Sequence, residues 1–125
     1  LGVPPDSVFK TLVLSGGGGH FVCVIPGDQE LDLKKAARHF GVKSLEMIPA
    51  AGLKELTGYA RGGCSPLGMK KPFPTAMDDR AAGKQWILVS GGRIGLQMKA
   101  RPEDLMKAAG MAMASLTREA GDAAR

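Results

Sequence analysis

Residues 57–74, TGYARGGCSPLGMKKPFP, gather a phenol, a thiol, two hydroxyls and three cations in a stretch with neither helical nor strand period. Such a run reads as a shaped loop whose backbone does the binding. Cys64 could attack a carbonyl, but a nucleophilic thiol needs an activating base beside it. Neither His20 nor His39 can be assigned to that place from the sequence. The loop's other resource is its main chain. Gly62-Gly63 followed by Pro66 lets N–H groups face a cavity, an arrangement that stabilises an oxyanion or grips a carboxyl-derived group; the same residues would also make a rigid surface turn.

Hydrolytic and nucleotide-binding signatures are otherwise missing: no H-E-x-x-H, no G-x-S-x-G, no P-loop and no G-x-G-x-x-G. The four glycines at 16–19 are followed by a strand pattern, not by Lys-Ser/Thr, and so read as a hairpin turn. Cys23 and Cys64 form no C-x-x-C and have no neighbouring histidine, so neither a zinc site nor a disulfide framework is indicated. No metal or cofactor is expected, and a reducing, cytoplasmic compartment fits best. The 17 Lys+Arg against 12 Asp+Glu, a formal +5, favour an anionic partner such as nucleic acid. No apolar run approaches the roughly 20 residues of a membrane span.

The elements that must position these residues follow in order. Apolar runs at 8–14 and 20–25 predict a hairpin; in the second, Phe21, Cys23 and Ile25 face one way and Val22 and Val24 the other, as in a strand covered on both sides. Cys23 is therefore expected in the core. Asp32 can cap a helix over 33–40, with Leu33, Ala36, Ala37 and Phe40 inward and Gly41 as its stop. Lys34, Lys35 and Arg38 share its outer face, either as a solvated surface or as phosphate contacts. A short strand is expected at 44–48, a helix over 51–57 ending at Gly58, and a strand at 74–77. A second hairpin joins 86–89 to 94–99 around Ser90-Gly91-Gly92-Arg93, and Pro102 opens a helix that Gly110 ends. The tail beyond Met111 is ambiguous, helical by composition but lightly patterned. Hairpins interleaved with helices imply one domain over 1–125, a mixed sheet with helices on its faces.

Four spaced segments then form a familiar set: Phe9-Lys10-Thr11-Leu12; Leu31-Asp32-Leu33-Lys34-Lys35-Ala36; Thr57-Gly58-Tyr59 with Gly62-Gly63-Cys64-Ser65-Pro66-Leu67-Gly68; and Ser90-Gly91-Gly92-Arg93-Ile94-Gly95-Leu96. From about residue 3 to residue 110 the chain resembles the YbaK family of aminoacyl-tRNA deacylases, relatives of the editing domain of bacterial prolyl-tRNA synthetases. The resemblance implies an α+β fold with a curved, largely antiparallel mixed sheet. It also implies hydrolysis of the ester of a mischarged aminoacyl-tRNA, typically cysteine on tRNA(Pro), with prolyl-tRNA synthetase as a possible partner. It makes Lys10 the principal functional side chain and places Gly62, Gly63, Cys64, Ser65 and Pro66 in the substrate loop. Tyr59, Ser90, Gly91, Gly92 and Gln97 would line the same pocket, with Cys64 a bystander.

An aminoacyl ester is already activated, so oriented hydrogen bonds to its carbonyl can suffice without a protein nucleophile. Family members acting on cysteinyl-tRNA are thought to use the substrate's own thiol. Two departures stand out. Gln97 occupies a position that is acidic in some relatives, and the family's N-terminal strand and helix are absent from a sequence that starts Leu1-Gly2-Val3, which reads as a fragment.

Overall fold

Hairpin formation at the start of the chain depends on two glycines. In the computed structural model, which describes residues 5–59, 65–67, 69, 73–93 and 95–118, β1 (Phe9–Gly16) and β2 (Gly19–Pro26) pair antiparallel, from Phe9 opposite Pro26 to Gly16 opposite Gly19. Gly17 and Gly18 make the connection at φ +57° and +80°. A two-residue hairpin turn with both central residues left-handed follows the twist of the strands, and glycine takes that conformation at least cost. β2 runs one residue beyond the expected 20–25 at each end, and β1 starts one residue after the expected 8–14 and ends two after it.

Alternation then sorts the side chains. Leu14, Cys23 and Ile25, with Leu12 and Phe21 beside them, pack on one face against α1 (Leu33–Phe40). Phe9 and Val24 on the opposite face join one further cluster, and Val13 and Val22 another. β2 is thus covered on both sides, and Cys23 is fully buried. The helix has the expected ends: the Asp32 carboxylate accepts from the N–H groups of Lys34 and Lys35 at 3.0 and 3.1 Å, and Gly41 closes it at φ +73°.

Of the strand expected at 44–48, β3 (Glu46–Met47) pairs with β1. Next come α2 (Ala50–Thr57), closed by Gly58 at φ +88°, and β4 (Thr75–Asp78). β5 (Ile87–Ser90) and β6 (Gln97–Ala100) make the second hairpin as a separate two-stranded sheet, and α3 (Pro102–Ala109) opens on its proline with Glu103 and Asp104 in the first turn. The larger sheet has the order β3-β1-β2-β4-β7, antiparallel around β1 and parallel from β2 through β4. The fold is α+β with a mixed sheet.

The tail, ambiguous by pattern, is settled by its neighbours. Residues that look helical by composition form β7 (Ala112–Ala114), parallel to β4. Gly110 ends α3 in the left-handed conformation, the Met111 N–H returns to the Met106 carbonyl, and Met111 and Leu116 are buried. The ladder to β4 and that burial outweigh the helical propensity of alanine and methionine, a weak preference that tertiary context overrides.

Candidate functional site

Thr57, the last residue of α2, is buried, and its hydroxyl donates to the Leu53 carbonyl at 2.8 Å while accepting the Tyr59 N–H at 3.0 Å. That double bond aims the next residues. The Tyr59 hydroxyl donates to the Leu67 carbonyl at 2.5 Å, and its ring lies against Gly92, where an added Cβ would stand 3.2 Å from Cε1. Gly92 has φ +102°, so only glycine combines that backbone with a ring this close. Tyr59 therefore ties the 57–74 stretch to the turn between β5 and β6.

Both partners of this tie are held by hydroxyl-to-backbone bonds. Ser65 is buried and its Oγ accepts the Leu67 N–H at 3.2 Å, across Pro66, which is buried too. Ser90 Oγ accepts the Gly92 N–H at 3.3 Å, and the Gly91 N–H donates to the Leu96 carbonyl at 2.8 Å. A Cβ on Gly91 would stand 2.9 Å from Leu96 Cγ, so this turn tolerates no larger residue without movement. Gln97 stands opposite Ser90 in the β5–β6 ladder and is exposed.

The structure thus brings together Tyr59, Ser65, Pro66, Ser90, Gly91 and Gly92. Lys10 stands apart from them. It is paired with Ile25 and shares the α1 face with Leu12 and Leu14, and its ammonium donates to the Gly27 carbonyl at 3.3 Å. Gly62, Gly63 and Cys64 lie outside the described residues.

Thr11 was not singled out from the sequence as a site residue. Its Oγ1 is buried and, among the buried side-chain oxygens and nitrogens of the described residues, is the one without a hydrogen-bond partner. Thr11 pairs with Val24 and lies between Phe9 and Val13 on their face of β1, where one cluster includes Val89 and Leu67 and the next includes Tyr59 and Met69. The signal was present: a polar residue at an inward position of an apolar strand. An orphaned hydroxyl beside the elements that carry Tyr59 and Ser90 can donate to, or accept from, a bound molecule.

Cys23 is a different matter. Burial, and then the neighbouring Asp78 carboxylate, push its thiol up to about 12, so it stays protonated and inert in the core.

A family model for the aminoacyl-tRNA editing domain matches residues 1–108. A protein of Enterococcus faecalis, provisionally named Cys-tRNA(Pro)/Cys-tRNA(Cys) deacylase EbsC, is 46% identical over 94% of this chain and 72% of its own length. Proline--tRNA ligase 1 of Streptomyces avermitilis is 31% identical over 70% of the chain, which spans only 15% of that ligase. Among solved structures, one described provisionally as a trans-editing enzyme for prolyl tRNA synthetase superposes with a TM-score of 0.88 at 30% identity, covering 94% of this chain and 74% of that one.

Proposed function

The chain belongs to the aminoacyl-tRNA editing domain family, and on that premise we propose that it hydrolyses in trans the ester between a wrong amino acid and tRNA, with cysteine on tRNA(Pro) as the main substrate. The observation that carries this reading is the 46% identity across nearly the whole chain with a relative named for that reaction. Prolyl-tRNA synthetase is the proposed partner in handing over the tRNA; the kinship with segments of proline--tRNA ligases supports it.

In this reading the acyl group lies against the Tyr59–Gly92 contact, with the Thr11 hydroxyl and the Gly62-Gly63 main chain as donors toward its carbonyl. Lys10, near the start of β1 and on the opposite face from Thr11, holds the terminal adenosine or the carbonyl region. Such groups lower the barrier by matching the negative charge that grows on the carbonyl oxygen as the ester carbon is attacked. The attacking sulfur or water oxygen bonds to that carbon, the bond to the ribose oxygen breaks, and the ribose oxygen takes up a proton. No protein nucleophile is consumed.

Ester loss from Cys-tRNA(Pro), Ala-tRNA(Pro) and Pro-tRNA(Pro) tests the proposal, with Cys-tRNA(Pro) expected to be cleaved fastest; survival of all three esters rejects it. Lys10→Ala is expected to slow cleavage at least about a hundredfold, the scale of losing a charged group aimed at the reacting ester, whereas Cys64→Ala retains most activity. The opposite ranking would move the chemistry to the thiol. Salt-dependent tRNA binding without cleavage would mark a binding module, a reading that the uncharged Gln97 favours.

A further inference from the structure

The outer face of α1 meets the chain that follows it in a groove of about 370 Å³, lined by Leu33, Lys34, Ala37, Arg38 and the segment Val42, Lys43, Ser44, Leu45. Three cations converge there from two segments, and the groove lining holds no carboxylate. Among the described residues no ion pair or hydrogen bond engages the side chains of Lys34, Arg38 or Lys43. The nearest acids in sequence are otherwise placed: Asp32 caps α1, and Glu46 lies on β3 opposite Ser15.

We propose that this groove is a second nucleic-acid contact, one that grips the phosphate backbone of the tRNA acceptor arm upstream of the ester. The inference rests on the editing reading above. Lys10 and α1 lie on the same face of the sheet. β1 carries the chain from Lys10 to Gly16, about 20 Å at the usual rise of a strand, and Gly16 packs directly on the Ser44 carbonyl. A stacked nucleic-acid strand advances about 3.4 Å per nucleotide, so a terminal adenosine at Lys10 sets phosphates about six nucleotides upstream at Lys43. Uncompensated cations on an otherwise small groove suit phosphates, each of which can be bound singly. A protein partner fits less well. A stable protein interface takes roughly 800 Å² from each side, whereas the exposed large apolar side chain in this groove is Leu33, 37% accessible.

Binding of fluorescent, uncharged tRNA to the full chain as a function of salt tests the groove separately from hydrolysis. Replacing Lys34, Arg38 and Lys43 together by alanine is expected to weaken binding about tenfold or more and to lower the slope of log K against log salt by about 2–3, as lost phosphate contacts do. Lys107→Ala, which removes one charge on α3, leaves both values within error. In turnover, the triple variant raises KM for full aminoacyl-tRNA and leaves kcat unchanged, while cleavage of an aminoacyl-adenosine too short to reach the groove does not change. Unaltered affinity and slope overturn the proposal, as does intact tRNA binding accompanied by lost binding to prolyl-tRNA synthetase. Should the triple variant fail to fold, each single alanine variant is expected to lower the slope by about 1, and three unchanged slopes again overturn it. If no ester is cleaved at all, the editing reading fails while the binding experiment still decides the groove.

Discussion

Asp78 on β4 and Thr11 on β1 are both polar side chains on inner strands of one sheet, and the fold treats them oppositely. The Asp78 carboxylate accepts the Leu116 N–H at 2.9 Å and the Arg80 N–H at 3.2 Å, with Arg80 Nε 3.7 Å away; that Nε donates in turn to Thr117 Oγ1 at 2.9 Å. Every one of these partners is supplied by the chain. They fasten β7 and the residues after it to the core. The Thr11 hydroxyl, equally dry, receives no such partner. A buried polar group satisfied from within serves stability, because removing it strands its partners; one left open lowers stability and is retained where a ligand completes it.

The largest effect that could break this contrast lies at Asp78. Asp78→Ala is expected to cost about 3 kcal/mol in urea denaturation, since two main-chain donors lose their acceptor, and Asp78→Asn about half as much. A cost for Asp78→Ala below about 1 kcal/mol would mean that water takes over the bonds and that the tail is not fastened there.

The same neighbourhood contributes an alkaline dependence. Cys23 titrates at about 12 in the fold against 9.0 as its ordinary value. Between those values the unfolded chain has lost the proton and the native chain holds it, so the native state binds more protons and its stability falls as pH rises. The contribution is complete below pH 9 and declines by up to about 1.4 kcal/mol per pH unit above it. Denaturation of the native protein and of Cys23→Ala across pH 8 to about 10.5 should therefore show their difference shrinking as the solution becomes more alkaline. A constant difference contradicts it.

The smallest change in stability is expected at the open group. Thr11→Val removes a hydroxyl without a partner, so stability is expected to hold or rise by up to about 1 kcal/mol, while ester cleavage falls about tenfold, the worth of one hydrogen bond to the reacting substrate. Destabilisation with unchanged cleavage would sharpen the comparison in the other direction, making Thr11 a second Asp78.

The sequence was most legible where a local rule decides the structure. The Gly17-Gly18 turn, the Asp32 cap, the Gly41, Gly58 and Gly110 stops and Pro102 at the head of α3 all act within one or two turns of chain, and each stands where its residue type predicts. The 44–48 strand and the tail were less legible, because strand pairing depends on which neighbour arrives. β1 reaches only Glu46–Met47, and β4 captures Ala112–Ala114. Ser90, Gly91 and Gly92 were recognisable as a motif, but their meeting with Tyr59 joins residues far apart in the chain. Thr11 escaped notice because an unmet hydrogen bond is a property of surroundings that no spacing records.

Residue types and their order by themselves determined the first hairpin, the three helices, the burial of Cys23 and membership of an aminoacyl-tRNA editing family, since propensity, capping and motif spacing are written along the chain. Only the tertiary structure decided which face of β1 each side chain occupies relative to the turns, and that the chain completes Asp78 while leaving Thr11 open. It alone decided that Lys43 joins Lys34 and Arg38 in one groove. Hydrogen-bond satisfaction and the gathering of like charges depend on distances through space, and those exist only once the sheet and its helices have packed.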